Sequence, residues 1–130
     1  MGWKKGKRRF AKTSRRHVPG KMNGLETKFS LYLEDLKMNK KIEWWRFEPI
    51  RLKLTDFGNT THYTPDFLVL ENSGEMTVYE SKGMWTSSAR VKTKTAADRF
   101  FFWRFIGVKS IPKTKGGGWE FEEFEPKEEK

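Results

Sequence analysis

Apolar positions fall at helical spacing between Asn23 and Leu36, where Leu25, Phe29, Leu33 and Leu36 share one face. Asn23 is a suitable N-cap, so a helix is predicted to open at Asn23-Gly24-Leu25-Glu26 and lay that face on a sheet. From Lys41 to Leu54 the partial alternation of Ile42, Trp44, Phe47, Ile50, Leu52 and Leu54 is interrupted at Pro49. This predicts an edge strand, or two short strands meeting at the proline. A polar turn over 56–61 follows. The runs Phe67-Leu68-Val69-Leu70 and Met76-Thr77-Val78-Tyr79 flank Glu71-Asn72-Ser73-Gly74-Glu75, whose Asn, Ser and Gly favour reversal, so an antiparallel hairpin is predicted. After Gly83, a loop over Met84 to Ser88 should end in a helix cap. A helix is expected from about Ala89 to Phe105, with Phe101, Phe102, Phe105 and Ile106 packing inward. Val108 to Ile111 and Trp119 to Phe124, separated by the turn Pro112 to Gly118, predict a terminal hairpin.

Candidate chemistry lies at the ends of the central hairpin, in Tyr63-Thr64-Pro65-Asp66-Phe67 and Glu80-Ser81-Lys82-Gly83. Residues two apart on a strand share a face, so Glu80 and Lys82 project together. With the loop centred on Ser73, Asp66 faces Glu80. Two carboxylates that close resist joint ionisation unless a cation lies between them. A hard divalent ion satisfies that need, and Asp66, Glu80 and the Ser81 carbonyl can supply ligands beside water and substrate phosphate oxygens. Lys82 then stands where it can orient or deprotonate the attacking water, or neutralise charge on a phosphate. The plainer alternative makes Asp66 a turn residue and leaves Glu80 and Lys82 on an exposed strand face. Glu26 likewise has two readings: a partner for the helix dipole, or a third carboxylate at the metal. His62 reads as a strand-entry residue close to Asp66.

Composition narrows the partners. The 130 residues suffice for one domain, with a core over 23–124, a basic arm over 1–22 and a charged, net acidic tail over 125–130. Net charge is +10, and residues 1–22 hold nine basic residues and no acid, a balance that favours a polyanion. Lys4, Lys5, Lys7, Arg8, Arg9, Arg15 and Arg16 are candidate phosphate contacts from a flexible arm; a merely solubilising tail is the alternative. On the second helix, Arg90 and Lys92 lie nearest the candidate site and are the residues expected to touch DNA backbone. With no cysteine, disulfides and cysteine-based zinc sites are excluded. No apolar run approaches the roughly 20 residues of a membrane span, so a soluble, intracellular protein with no membrane partner is expected.

Taken together, Gly24-Leu25-Glu26, Tyr63-Thr64-Pro65-Asp66-Phe67-Leu68, Glu80-Ser81-Lys82-Gly83-Met84-Trp85 and the later Arg90 resemble the phage endonuclease I group of Holliday-junction resolvases, within the PD-(D/E)XK nuclease superfamily. The similarity runs from about Asn23 to Lys92; beyond Lys92 there is no convincing match. It implies an α/β restriction-endonuclease-like core, with a central mixed or mostly antiparallel sheet flanked by helices. It also implies a catalytic set of Glu26, Asp66, Glu80 and Lys82, with Mg²⁺ or Mn²⁺ as cofactor and branched DNA as substrate. The family further suggests a homodimer acting in the cytoplasm, the host's if the chain is phage-encoded, with the segment 48–60 helping to exchange elements between subunits. A structure-independent nicking or transposon-end endonuclease is the alternative within the same chemistry. A DNA-binding protein without catalysis is the alternative outside it.

Overall fold

The computed structural model describes residues 20–56 and 61–126. Helix α1 (Gly24–Met38) leads into strand β1 (Ile42–Phe47); β2 (Leu52–Lys53) and β3 (His62–Tyr63) follow. Next come β4 (Phe67–Glu71), β5 (Met76–Ser81), helix α2 (Ser87–Arg99), β6 (Arg104–Ser110) and β7 (Trp119–Phe124). Five strands form one sheet in the order β1-β4-β5-β6-β7, while β2 and β3 pair separately. Within the larger sheet β5 and β6 run parallel, joined by the α2 crossover, and the other neighbours are antiparallel. The architecture is thus α/β with a mixed sheet. No helix among the described residues is long and apolar enough to cross a membrane.

The two-residue period of the strands builds a core on each face. Phe67 and Val69 point to the α1 side and meet Phe29, Leu33, Ile42 and Val108. Leu68 and Val78 point to the other side, under α2, with Leu52, Leu54, Tyr63, Ala96, Ala97, Phe105 and Phe124. In α1, Phe29 and Leu33 are fully buried and Leu36 packs beside them, as the helical spacing predicts. In α2 only small residues, Thr93, Ala96 and Ala97, are buried. That lets the helix lie close to the sheet.

Pro49 divides the expected extended segment into β1, at the sheet edge, and β2. Glu48, just before it, takes a positive φ of 45°, and its N–H donates to the Asp66 carbonyl at 2.8 Å. The chain therefore turns away from the sheet directly beside Asp66. The turn expected over 56–61 lies partly outside the described residues, as do most of the basic arm and the last four residues of the tail.

One boundary differs from the sequence expectation. The second helix stops at Arg99 rather than Phe105, and β6 starts at Arg104, four residues before the strand expected at Val108. Phe100 N–H still bonds Ala96, and Trp103 N–H closes a turn on Phe100. Beyond that turn, Phe105, Ile106 and Val108 enter a ladder with Val78, Tyr79 and Ser81 of β5, where aromatic and β-branched residues are favoured. Phe101 and Phe102, expected to pack, sit at the turn and are 68% and 63% exposed.

Candidate active site

The β4–β5 register decides the geometry. Phe67 pairs with Tyr79 and Leu68 with Val78, which sets Asp66 opposite Glu80 one step further along. The ladder ends there in side-chain bonds: Asp66 N–H donates to Glu80 Oε2 at 3.2 Å, and Ser81 N–H and Oγ–H donate to Asp66 Oδ2 at 2.9 and 3.0 Å. Both carboxylates are buried. Lys82 lies on the Glu80 side of the strand, its Nζ 3.3 Å from Glu80 Oε1.

Glu26 reaches the same place from the first turn of α1. Its backbone N–H donates to Asn23 Oδ1 and its Oε1 accepts the Asn23 N–H, each at 2.8 Å. This is a reciprocal capping box. The cap fixes the Glu26 side chain, which is 4% exposed, and leaves Oε2 without a hydrogen bond from the described residues. Asp66 repeats the pattern, with Oδ2 held by Ser81 and Oδ1 free of such bonds. In Glu80, Oε2 is held by the Tyr63 phenol at 2.6 Å and by the Asp66 N–H, while Oε1 is shared with Lys82. Each carboxylate therefore has one anchored oxygen and one without a backbone or hydroxyl donor.

These groups belong to an open cleft of about 1300 Å³. Glu26, Asp66, Glu80, Ser81 and Lys82 line it together with Arg51, His62 and Lys92. The N-terminal turns of both helices border it, through Asn23 and Leu25 on one side and Ser88 and Ala89 on the other. Helix N-termini carry partial positive charge and unpaired N–H groups, a setting that favours anions such as phosphate.

Charge at the floor of the cleft is under strain. Burial first, then the Glu80 and Glu26 charges, push the Asp66 carboxyl up to about 8, against the pull of Lys82 and the Ser81 N–H. Glu80 is also raised by burial, opposed by Lys82 and the Tyr63 hydrogen bond. Burial disfavours the Lys82 charge, yet Glu80 and then Asp66 outweigh it and hold the ammonium above its ordinary range. The Tyr63 phenol is raised well above its usual value by burial, by the Glu80 charge and by the hydrogen bond between them, so it stays a donor.

The chemistry of the Asp66–Glu80 pair would suit a hard divalent cation, because two facing buried carboxylates resist joint ionisation unless positive charge lies between them. Among the described residues no group of three or more His, Asp or Glu side chains is placed to hold a metal ion. An ion held by Asp66 and Glu80 alone would take the rest of its shell from water or phosphate oxygens, as Mg²⁺ commonly does. Ser81 is seen here as the donor that orients Asp66.

The two helix residues expected to meet DNA are separated. Lys92 lines the cleft, but Arg90 forms a paired ion bridge with Glu122 of β7 and lies over the rings of Trp85 and Phe124. It borders a second, smaller cavity of about 420 Å³ behind Gly83. The arm residues Lys4, Lys5, Lys7, Arg8, Arg9, Arg15 and Arg16 lie outside the described residues.

Tyr63, Asn23 and Arg51 were missed as site residues by sequence reasoning. The Asn-x-x-Glu spacing signals a capping box and could have tied Asn23 to Glu26. For Arg51 no local signal exists, since the fold alone brings it to the cleft; Tyr63 stands three residues before Asp66 in the candidate stretch, but its bond to Glu80 depends on how β2 and β3 pack. Comparisons with protein-family models, with curated proteins and with solved structures found nothing that matches this chain.

Proposed function

We propose that this chain is a divalent-metal-dependent endonuclease that hydrolyses DNA phosphodiester bonds, with branched DNA as its preferred substrate. The observation that carries the reading is the meeting of Glu26 from α1, Asp66 just before β4, Glu80 from β5 and Lys82 just after it, at the floor of one open cleft. Four groups from three stretches of the chain, two of them joined through the backbone of the opposite strand, are more than an exposed strand face. The net charge of +10 suits a polyanionic substrate.

Asp66 and Glu80, with Glu26 as a third or orienting carboxylate, hold Mg²⁺ or Mn²⁺. Bound there, the ion supplies Lewis-acid activation of a phosphoryl oxygen and of a water. Lys82, 3.3 Å from Glu80 Oε1, stands where it can orient or deprotonate the attacking water or neutralise charge developing on the phosphate. Ser81 and Tyr63 hold the carboxylates in place, and no hydroxyl of the protein serves as nucleophile. Lys92, Arg51 and the helix N-termini steer the DNA backbone into the cleft. Cleavage of both strands across a branch requires two such sites, hence two copies of the chain.

The test compares a labelled four-way junction, a matched linear duplex and a single strand, each incubated with Mg²⁺, Mn²⁺ or EDTA. Paired metal-dependent nicks beside the branch point are expected. Equal cutting of all three would retain the nuclease and discard the branch preference. Cuts mapping to a sequence would indicate a nicking or transposon-end enzyme, and binding without cutting a non-catalytic DNA-binding protein.

A further inference from the structure

Glu80 uses its two oxygens unequally. Oε2 is buried with the Tyr63 phenol at 2.6 Å and the Asp66 N–H at 3.2 Å. Among the described residues, Oε1 meets only the Lys82 ammonium. Tyr63 cannot easily yield. It is 4% exposed, its ring centroid lies 6.4 Å from that of Phe105, and its backbone is paired with Leu52. Swinging Oε2 away would cost the buried phenol its short bond to a carboxylate and leave it only the Thr93 hydroxyl.

Cations differ in what they ask of a carboxylate. Ca²⁺ takes six to eight oxygens in flexible arrangements and accepts both oxygens of one carboxylate, whereas Mg²⁺ keeps a tight octahedron with several waters and one or two carboxylates. We propose that Tyr63 is a positioning residue that makes Glu80 a one-oxygen ligand and thereby selects a small, water-retaining cation such as Mg²⁺ over Ca²⁺. This deepens, and rests on, the nuclease reading given above. Ser81 does the same for Asp66, and in both pairs a backbone N–H supplies the other half of the hold. Tyr63 supplies the side-chain half of the Glu80 anchor, and the shorter of its two bonds, which Tyr63→Phe removes.

Isothermal titration of Mg²⁺ and of Ca²⁺, each alone and without DNA, into the full chain and its Tyr63→Phe variant reads the effect directly. The ratio of the two affinities should shift toward Ca²⁺, by up to about tenfold if a typical outer-shell loss of affinity falls on Mg²⁺ alone. A merely structural Tyr63 would weaken both ions alike and leave the ratio unchanged, which overturns the proposal. Infrared difference spectra of the unsubstituted protein, with and without Mg²⁺, give a second test that needs no variant. A carboxylate signature of one-oxygen coordination supports the proposal, and a two-oxygen signature overturns it. If the unsubstituted protein binds neither ion and cuts no DNA, the nuclease reading itself falls and this inference with it. Cation binding and cleavage with an unchanged ratio would remove this inference alone.

Discussion

Replacing Asp66 by Asn should change how stability depends on pH, and the structure sets the direction. The Asp66 carboxyl has its pKa at about 8 in the fold, against 3.8 for an ordinary aspartate. Between those values the folded state keeps a proton that the unfolded chain has released. The contribution of Asp66 is therefore fully present below about pH 4 and is lost as pH rises toward 8. At about 1.4 kcal/mol per pH unit, the gap corresponds to about 5 to 6 kcal/mol. Glu80 shares the burden, because the two carboxylates resist joint ionisation and titrate as a pair, so about 2 to 3 kcal/mol is expected for Asp66 alone. Urea denaturation of both proteins in EDTA, at pH 4.5, 6, 7 and 8, supplies the measurement. The exchange of one carboxyl oxygen for an amide adds an offset that is constant with pH, so the trend in the difference is what matters. Relative to the unsubstituted protein, the Asp66→Asn variant should gain about 2 to 3 kcal/mol between pH 4.5 and 8. A difference that stays flat across this range would refute the account of a crowded, buried anionic floor.

Three further outcomes follow from the same geometry. Lys82→Ala should lower the cleavage rate by about 100-fold or more while DNA affinity changes little, since one ammonium supplies few of the phosphate contacts; parallel loss of binding in a mobility-shift assay would count against its role. Gly107→Ala places a Cβ 2.7 Å from Trp85 Cζ2 and 2.9 Å from Phe124 Cε2, an overpacking that should cost about 1 to 3 kcal/mol by denaturant unfolding. Removing residues 1–21 should weaken DNA binding and flatten its salt dependence, whereas an unchanged slope of affinity against salt would reduce the arm to a solubilising tail.

The register that sets Asp66 opposite Glu80 was legible because it depends on local counting. A five-residue loop centred on Ser73 and a two-residue strand period put Asp66 opposite Glu80 and Lys82 beside it, with no knowledge of distant contacts. The N-cap at Asn23 and the break at Pro49 were legible for the same reason. The end of the second helix was not. Phe100 to Ile106 is apolar enough to pack as a helix or pair as a strand, and the choice is made by parallel pairing of Arg104 and Phe105 with Thr77 and Val78, far away in sequence. Arg90 shows a similar limit: its charge and its place after Trp85 suggest phosphate contact, but the fold sets Glu122 of β7 against it. Tyr63 reaches Glu80 only because the small β2–β3 sheet is laid on the α2 side of the main one.

The most direct test of the central claim is cleavage of end-labelled branched DNA by the purified chain and by its Glu80→Ala variant, in Mg²⁺ and in EDTA. Strand breaks that require both Mg²⁺ and Glu80 are the predicted result. Intact DNA in every lane, or breaks that persist in the variant or in EDTA, would contradict it.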